Sequence, residues 1–423
     1  MRILYNYLTK ISYIFLYGAG LISPKMRLFM QGRKGVFETL LKQIDENDKT
    51  IWFHCASLGE FEQGVPIIEA VKVLLPKYKI VISFFSPSGF EVKKNTSLAD
   101  VVVYLPLDTR SNAKKFIEAV HPSLAVFVKY EFWPNYLFEL EKANIPTLLV
   151  SGLFRPEQVF FKSYGSFMRK ALGSFDHIFI QNESSKDLLA KLDITKTTMS
   201  GDTRFDRVSH QIEQDNTIEW LQIFKGDTLC IVCGSTWPKD EAVLLDYINA
   251  SEGVKFVIAP HKIDERKIEA FRSKINKNVI LYSELKSEGA LSEASVLESA
   301  AVFIIDIIGL LTKIYSYADI AYVGGAMGKT GLHNILEPAT FGIPVIIGKN
   351  FDDFPEAKRL QQLAGLFSVS NSEECTQVLS KLVKDNSFRS KTGMIAGHFI
   401  NNNTGATKKV LAHIENLHRD GLI

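Results

Sequence analysis

Short apolar runs rich in β-branched and aromatic residues recur at 50–54, 80–85, 101–104, 124–128, 147–150 and 177–181, and again at 229–233, 255–258, 279–282, 302–305, 320–323 and 344–347. Segments of helical character separate them. Parallel strands need a crossover, usually a helix, and their sheets are covered on both faces, so their strands read as unbroken apolar runs. The alternation predicts an α/β protein with two doubly wound, Rossmann-like domains. A polar stretch from 206 to 225 divides the two series. The expected organisation is an N-terminal segment 1–40, a first domain 41–210 and a second domain 211–423, whose last part, 404–417, reads as a closing helix.

Open α/β sheets bind ligands beyond the carboxyl ends of their strands, which predicts a cleft faced by both domains and makes the residue after each strand a candidate. Residues 322–348, YVGGAMGKTGLHNILEPATFGIPVIIG, give strand, glycine-rich loop, helix start and strand again. Gly324 and Gly325 let backbone approach an anion, and Asn334 and Glu337 would face it from the first helical turns, beside His333. Gly328-Lys329-Thr330 imitates the end of a Walker A loop, but position 323 is Val where that motif needs Gly. Ser235 and Thr236 follow the first strand of this domain, and His261 with Lys262 follows the second; both groups can meet phosphate.

In the first domain, His54-Cys55-Ala56-Ser57-Leu58-Gly59-Glu60 follows the first strand, Ser86-Pro87-Ser88-Gly89 the second, and Lys129-Tyr130-Glu131-Phe132-Trp133-Pro134-Asn135 a later one. Glu60 fits a general base and equally a helix cap. Glu131 fits a second acid that raises the pKa of Glu60 or orients an acceptor, and also an acid that caps its helix start. Ser86, Ser88 and Gly89 fit a ligand loop or a plain turn.

Residues 1–37 carry Arg2, Lys10, Lys25, Arg27, Arg33 and Lys34 with no acid, interleaved with Tyr5, Tyr7, Tyr13, Phe15, Tyr17, Phe29 and Phe37. The apolar part, 11–23, is short for a span of about 20 residues, and the mixture suits the headgroup layer of an anionic membrane. A buried helix packed on the first domain is the other reading. The net charge of +2 does not indicate a nucleic-acid partner. Cys230 and Cys233 lie in an apolar run with no second pair, so buried structural thiols are expected rather than zinc ligands. His54, His261 and His333 lack metal-ligand spacing, and no Asp-x-Asp pair is present to hold a divalent cation.

Taken in order, Ser57-x-Gly59-Glu60, Ser86-Pro87-Ser88-Gly89, Glu131-x-Trp133-Pro134-Asn135, Gln181-Asn182-Glu183, Gly201-x3-Phe205-Asp206, Ser235-Thr236, Pro260-His261, Val323-Gly324-Gly325 and Gly331-x-His333-Asn334-x2-Glu337 resemble the Kdo transferases. The resemblance spans nearly the whole chain. It implies a two-domain, metal-independent glycosyltransferase of the GT-B type with no cofactor, an acceptor-binding first domain and a second domain that holds CMP-Kdo. It further implies inverting transfer of Kdo to a hydroxyl of the lipid A precursor, lipid IVA, in lipopolysaccharide biosynthesis at the cytoplasmic face of the inner membrane. Glu60 would be the catalytic base and Glu131 a supporting acid. Ser57, Gly59, Ser86, Ser88, Gly89, Ser235, Thr236, His261, Gly324, Gly325, His333, Asn334 and Glu337 would bind substrate. The chain departs from the family at Pro260, Leu310 and Lys129, where Arg, Glu and Glu are common. The rival expectations are a GT-B enzyme with another donor, a sugar-nucleotide epimerase, or a membrane-tethered nucleotide-sugar-binding protein without catalysis.

Overall fold

The computed structural model describes residues 2–289 and 293–423, apart from the side chains of Tyr13, Ile14, Tyr17 and Glu288. Tyr13 and Tyr17, part of the aromatic set noted above, thus lie outside the described side chains. The chain forms two compact units, Met1–Arg207 with Thr404–Ile423, and Val208–Asn403.

The first unit contains β1 (Thr50–Cys55), β2 (Lys79–Phe84), β3 (Val101–Tyr104), β4 (Pro122–Val128), β5 (Thr147–Gly152), β6 (His177–Ile180) and β7 (Thr197–Met199). They form one parallel sheet in the order β3-β2-β1-β4-β5-β6-β7. The strand order reverses between β1 and β4, and that is where open sheets of this kind offer a crevice. Two apolar clusters cover the faces. One gathers around Trp52, Phe116, Phe127 and Tyr136, the other around Phe53, Phe61, Ile68 and Val126.

The second unit contains β8 (Leu229–Thr236), β9 (Val254–Pro260), β10 (Val279–Leu281), β11 (Val302–Ile304), β12 (Ile320–Val323), β13 (Val345–Gly348) and β14 (Leu366–Val369). Its parallel sheet runs β10-β11-β9-β8-β12-β13-β14, and the order reverses between β8 and β12. Cys230 and Cys233 stand three apart on β8. Side chains alternate across a strand, so the two thiols enter different core clusters on opposite faces and cannot act as a pair. The strands β7 and β14 escape the sequence pattern. Both are edge strands of few residues, and neither carries a long apolar run.

Two boundaries differ from expectation. The closing helix, Ala406–Arg419, completes the first unit rather than the second: Val410 and Ile414 join the cluster under the helix Leu58–Leu74. Asp206 holds its start, accepting from Gly405 N at 2.6 Å, Thr407 N at 2.9 Å and Thr407 Oγ1 at 3.0 Å. Composition cannot reveal such a return, because the helix is amphipathic wherever it packs.

The N-terminal segment also belongs to the first unit. Its helix, Arg2–Ile22, docks through polar groups: Tyr5 OH donates to Asp108 Oδ2 at 2.7 Å, Asn135 Nδ2 donates to Asn6 Oδ1 at 2.8 Å, and Arg2 approaches Glu139 at 3.7 Å. Ile3, Leu4, Tyr7, Leu8, Ile11 and Phe15 on its other side are exposed. Arg33, Phe29 and Phe37, expected at a membrane, instead face the unit. Arg33 donates to the carbonyls of Phe29, Phe85 and Leu105 and lies 3.6 Å from the Phe29 ring, while burial pushes its pKa down to about 10. Phe37 packs against the core beside Val36 and Leu40. Among the described residues no helix is long and apolar enough to cross a membrane.

Replacing Asp206 by Ala removes the acceptor for the first turn of the helix Ala406–Arg419. Urea unfolding should show a loss of about 2 kcal/mol, the upper range for a lost cap; an unchanged midpoint would mean that the helix holds without it.

Candidate functional site

In the first unit the polar motifs gather at the carboxyl ends of β1, β2 and β4. Ser57 caps the helix Leu58–Leu74, and Glu60 turns back onto it: Glu60 Oε2 accepts from Ser57 N at 3.1 Å and from Ser57 Oγ, while Gly59 N donates to Ser57 Oγ at 3.2 Å. This is a capping box. The capping reading of Glu60 is therefore realised, with the Ser57 contacts all on one carboxylate oxygen.

Ser86 caps the helix Pro87–Lys93, with Ser86 Oγ and Ser88 Oγ 2.9 Å apart, and Ser86 N donates to Ala56 O at 2.7 Å. A Cβ at Gly89 would stand 2.3 Å from the Phe84 ring and 3.0 Å from Ser57 backbone, so glycine is needed to bring the two caps together. Ser57, Gly59, Glu60, Ser86, Ser88 and Gly89 thus share one rim.

Glu131 is buried at the end of β4. Its Oε2 receives Trp133 Nε1 at 2.7 Å and lies 3.0 Å from His54 Nε2; His54 Nδ1 lies 2.8 Å from Ser83 Oγ, which also accepts from Trp52 Nε1 at 2.8 Å. His54 Nδ1 also lies 3.1 Å from Ser83 O, and Trp133 Nε1 lies 3.0 Å from His54 Nε2. Trp52 donates to Ser83, and the His54 ring joins Ser83 to the Glu131–Trp133 pair in either tautomer. Glu131 is thereby held by His54 and Trp133. The two acids still share a field: Cys55, wholly buried, has its thiol pKa pushed well up by burial and then by Glu60 and Glu131.

Sequence reasoning missed the residues around Tyr130. Its phenol pKa is raised by burial, and Arg155, Arg204, Asp202 and Glu60 all act on it electrostatically. Lys129 Nζ lies 5.2 Å from the Tyr130 ring, and Arg204 is paired with Asp202 at 2.8 Å. Lys129 and Ser151, at the ends of β4 and β5, hold left-handed backbone at φ 69° and 54°, a conformation that non-glycine residues keep where surroundings impose it.

In the second unit β8 and β12 end in contact. A Cβ at Gly324 would stand 2.3 Å from Ser235 O, and one at Gly325, whose φ is 100°, would stand 2.0 Å from Gly331 O. Their N–H groups are committed within the fold: Gly324 N donates to Gly234 O at 2.9 Å and Gly325 N to Asp240 Oδ2 at 2.9 Å. The expectation that these two N–H groups meet an anion is corrected; the glycines supply closeness rather than donors. Thr236 is likewise turned inward, donating to Glu241 Oε1 at 3.1 Å, whereas Ser235 is half-buried with φ 53°.

Asp240, fully buried and unnoticed in the sequence, organises this end of the sheet. It accepts from Tyr322 OH at 3.0 Å, Gly325 N at 2.9 Å and Trp237 N at 2.9 Å. Burial raises its pKa, and these donors, with Met327 N, oppose the rise. His261 and His333 come together, with ring centroids 4.2 Å apart. Burial and His261 push the His333 pKa down to about 4, and burial with Lys262 lowers that of His261. Both imidazoles are therefore neutral at pH 7, so the expected cationic role falls to neighbouring lysines such as Lys262. Asn334 Nδ2 donates to Glu337 Oε1 at 3.0 Å, and Thr312 Oγ1 donates to Glu337 Oε2 at 3.2 Å. Among the described residues no three His, Cys, Asp or Glu side chains are grouped to hold a metal ion.

Residues 30–207 match the family model described as 3-deoxy-D-manno-octulosonic-acid transferase (kdotransferase). A 3-deoxy-D-manno-octulosonic acid transferase of Chlamydophila psittaci is 30% identical over 307 residues, covering 70% of this chain and 69% of that one. A bifunctional glycosyltransferase/methyltransferase of Fusobacterium nucleatum is 27% identical over 412 residues, 93% of this chain; the match spans only 62% of that longer protein. Among solved structures, a UDP-GlcNAc 2-epimerase of Neisseria meningitidis bound to UDP-GlcNAc superposes with a TM-score of 0.61 at 15% identity, over 87% of this chain and 100% of that one. The last is a likeness of fold alone.

Asp240→Ala would leave three N–H groups, of Trp237, Gly325 and Met327, and the Tyr322 hydroxyl without their buried acceptor. A stability loss of at least about 3 kcal/mol is expected in denaturant unfolding, against about 1 kcal/mol for Tyr322→Phe, which removes one donor. Equal losses would show that the carboxylate does not organise the loop.

Proposed function

The chain belongs to the Kdo transferase family, and on that premise we propose that it moves Kdo from CMP-Kdo to a hydroxyl of lipid IVA, with inversion and without a metal ion. The observation that carries the reading is Glu60: a half-buried carboxylate at the reversal point of the first sheet, with the Ser57 contacts confined to Oε2. A cap and a base are compatible in one carboxylate, because the other oxygen can take a proton.

In this mechanism Glu60 removes the proton of the acceptor hydroxyl as its oxygen forms a bond to the anomeric carbon of Kdo. The bond from that carbon to the CMP phosphate oxygen breaks, its electron pair leaves with CMP, and Glu60 later gives the proton to water. Charge on the sugar ring is oxocarbenium-like and charge on the phosphate grows. Ser235, His261, His333 and Asn334 serve the departing CMP, with Lys262 as the nearby cation, and Glu337 serves the ribose hydroxyls. The buried Glu131 and His54, with the half-buried Trp133, hold the floor of the acceptor side.

The N-terminal helix serves, in this proposal, as a peripheral anchor on the cytoplasmic face of the inner membrane. Arg2, Tyr5 and Asn6 are turned to the protein while Ile3, Leu4, Tyr7, Leu8, Ile11 and Phe15 are exposed, and Lys10, Lys25, Arg27 and Lys34 are exposed in the same segment.

Two experiments test these readings. Purified protein with CMP-Kdo and lipid IVA should release CMP only when both are present. Glu60→Ala should lower that rate at least about a hundredfold while CMP-Kdo binding persists. Turnover near the wild-type rate in the variant, or release of UMP or UDP from other donors instead, would overturn the assignment. Leu4→Asp with Leu8→Asp, both on the exposed stripe, should reduce sedimentation with anionic phospholipid vesicles at least about tenfold; undiminished binding would remove the helix from the membrane contact.

A further inference from the structure

Trp237 stands at the start of the helix Pro238–Ala250, directly after β8, and it contacts both imidazoles of the second unit. The His261 ring stacks on Trp237, with centroids 4.8 Å apart and planes at 26°, and on His333, at 4.2 Å and 30°. Trp237 Nε1 lies 3.1 Å from His333 Nε2.

That last contact has one chemical meaning. An indole N–H donates and cannot accept, so His333 Nε2 must present its lone pair. The ring proton of neutral His333 then sits on Nδ1. That nitrogen makes no hydrogen bond among the described residues and is not one of the buried unpartnered atoms, so it is open to a ligand.

The ring is held from several directions. His333 N donates to Gly324 O at 3.2 Å, and His261 N donates to Thr236 O at 2.9 Å, which ties both histidines to the ends of β8 and β12. Asp240 takes the backbone N–H of Trp237 and that of Gly325 on the same oxygen. One buried carboxylate therefore sets the indole and the loop that leads to His333 in register.

We propose that Trp237 is a positioning residue: its indole N–H locks His333 in the Nδ1–H tautomer, so that His333 offers a neutral, directed donor to the phosphate of the CMP leaving group. The identity of that ligand rests on the Kdo-transfer reading. The stack supports the same arrangement, since protonating either ring would place charge against a neighbouring imidazole and near Lys262, whose Nζ lies 5.2 Å from the Trp237 ring. A neutral donor strengthens its bond as charge gathers on the phosphate, without a fixed ion pair that would hold CMP after transfer.

The test uses the full chain with 15N-labelled histidine, and long-range 1H–15N spectra in which His333→Gln identifies the His333 signals. Wild type should show His333 protonated at Nδ1. Trp237→Phe keeps a ring for His261 and removes only the N–H, so the His333 signals should move toward the Nε2–H form. CMP affinity should fall about tenfold, the size of one hydrogen bond to a charged group, while cytidine, which lacks the phosphate, binds as before. In a His333→Asn background, whose amide donor has no tautomer, Trp237→Phe should no longer affect CMP binding. The proposal is overturned if wild-type His333 carries its proton on Nε2, if Trp237→Phe leaves the tautomer unchanged, or if it weakens CMP equally in the His333→Asn background. Failure of wild type to bind CMP would count against the Kdo-transfer reading and leave the tautomer signals to decide the role of Trp237.

Discussion

Burial of both sheet faces constrains everything else in this protein. The strands of each parallel sheet are covered by helices on both sides, so a polar group within them needs an internal partner, and chemistry is pushed to the strand ends. The reversal of strand order then selects which ends lie beside one another. In the first unit it sets the Glu60 helix start beside the Glu131 loop; in the second it sets Ser235 and Trp237 beside the Gly324 loop. Two buried networks show how such partners are found. His54, Ser83 and Trp52 form one chain that ends at Glu131, and Asp240 collects donors from two strand ends.

Much of this was legible beforehand, for a reason rooted in that constraint. Parallel strands advertise themselves as apolar runs, and loops after them hold residues that packing does not require, so Glu60, Glu131, Ser235, His261, His333, Asn334 and Glu337 stood out. The edge strands β7 and β14 did not, because an edge strand needs less burial and carries less signal.

The sequence could not show what those residues are bonded to. Asp240 in the first turn of a helix reads as an ordinary cap, and its link to Tyr322 and Gly325 appears only when β8 and β12 pair. Gly324 and Gly325 looked like anion donors because glycine marks close approach; whether the partner is ligand or protein is decided by the register of the neighbouring strand. His54 reads as one polar residue in a strand, yet its ring links β1, β2 and the loop after β4. Trp237, next to Ser235 and Thr236, reads in the sequence as a packing residue, and its N–H finds His333 through the fold alone.

The return of the chain to the first unit bears on how the protein is made. Residues 404–423 leave the ribosome only after the second unit has been synthesised, yet Val410 and Ile414 belong to the cluster beneath the helix Leu58–Leu74. During translation that apolar side of the first unit remains wet, so the half that is made first is completed last. Nascent chains are therefore most exposed to aggregation and to chaperone capture through the N-terminal half, and a chain shortened before Thr404 should fail there, with the second unit's own sheet left whole.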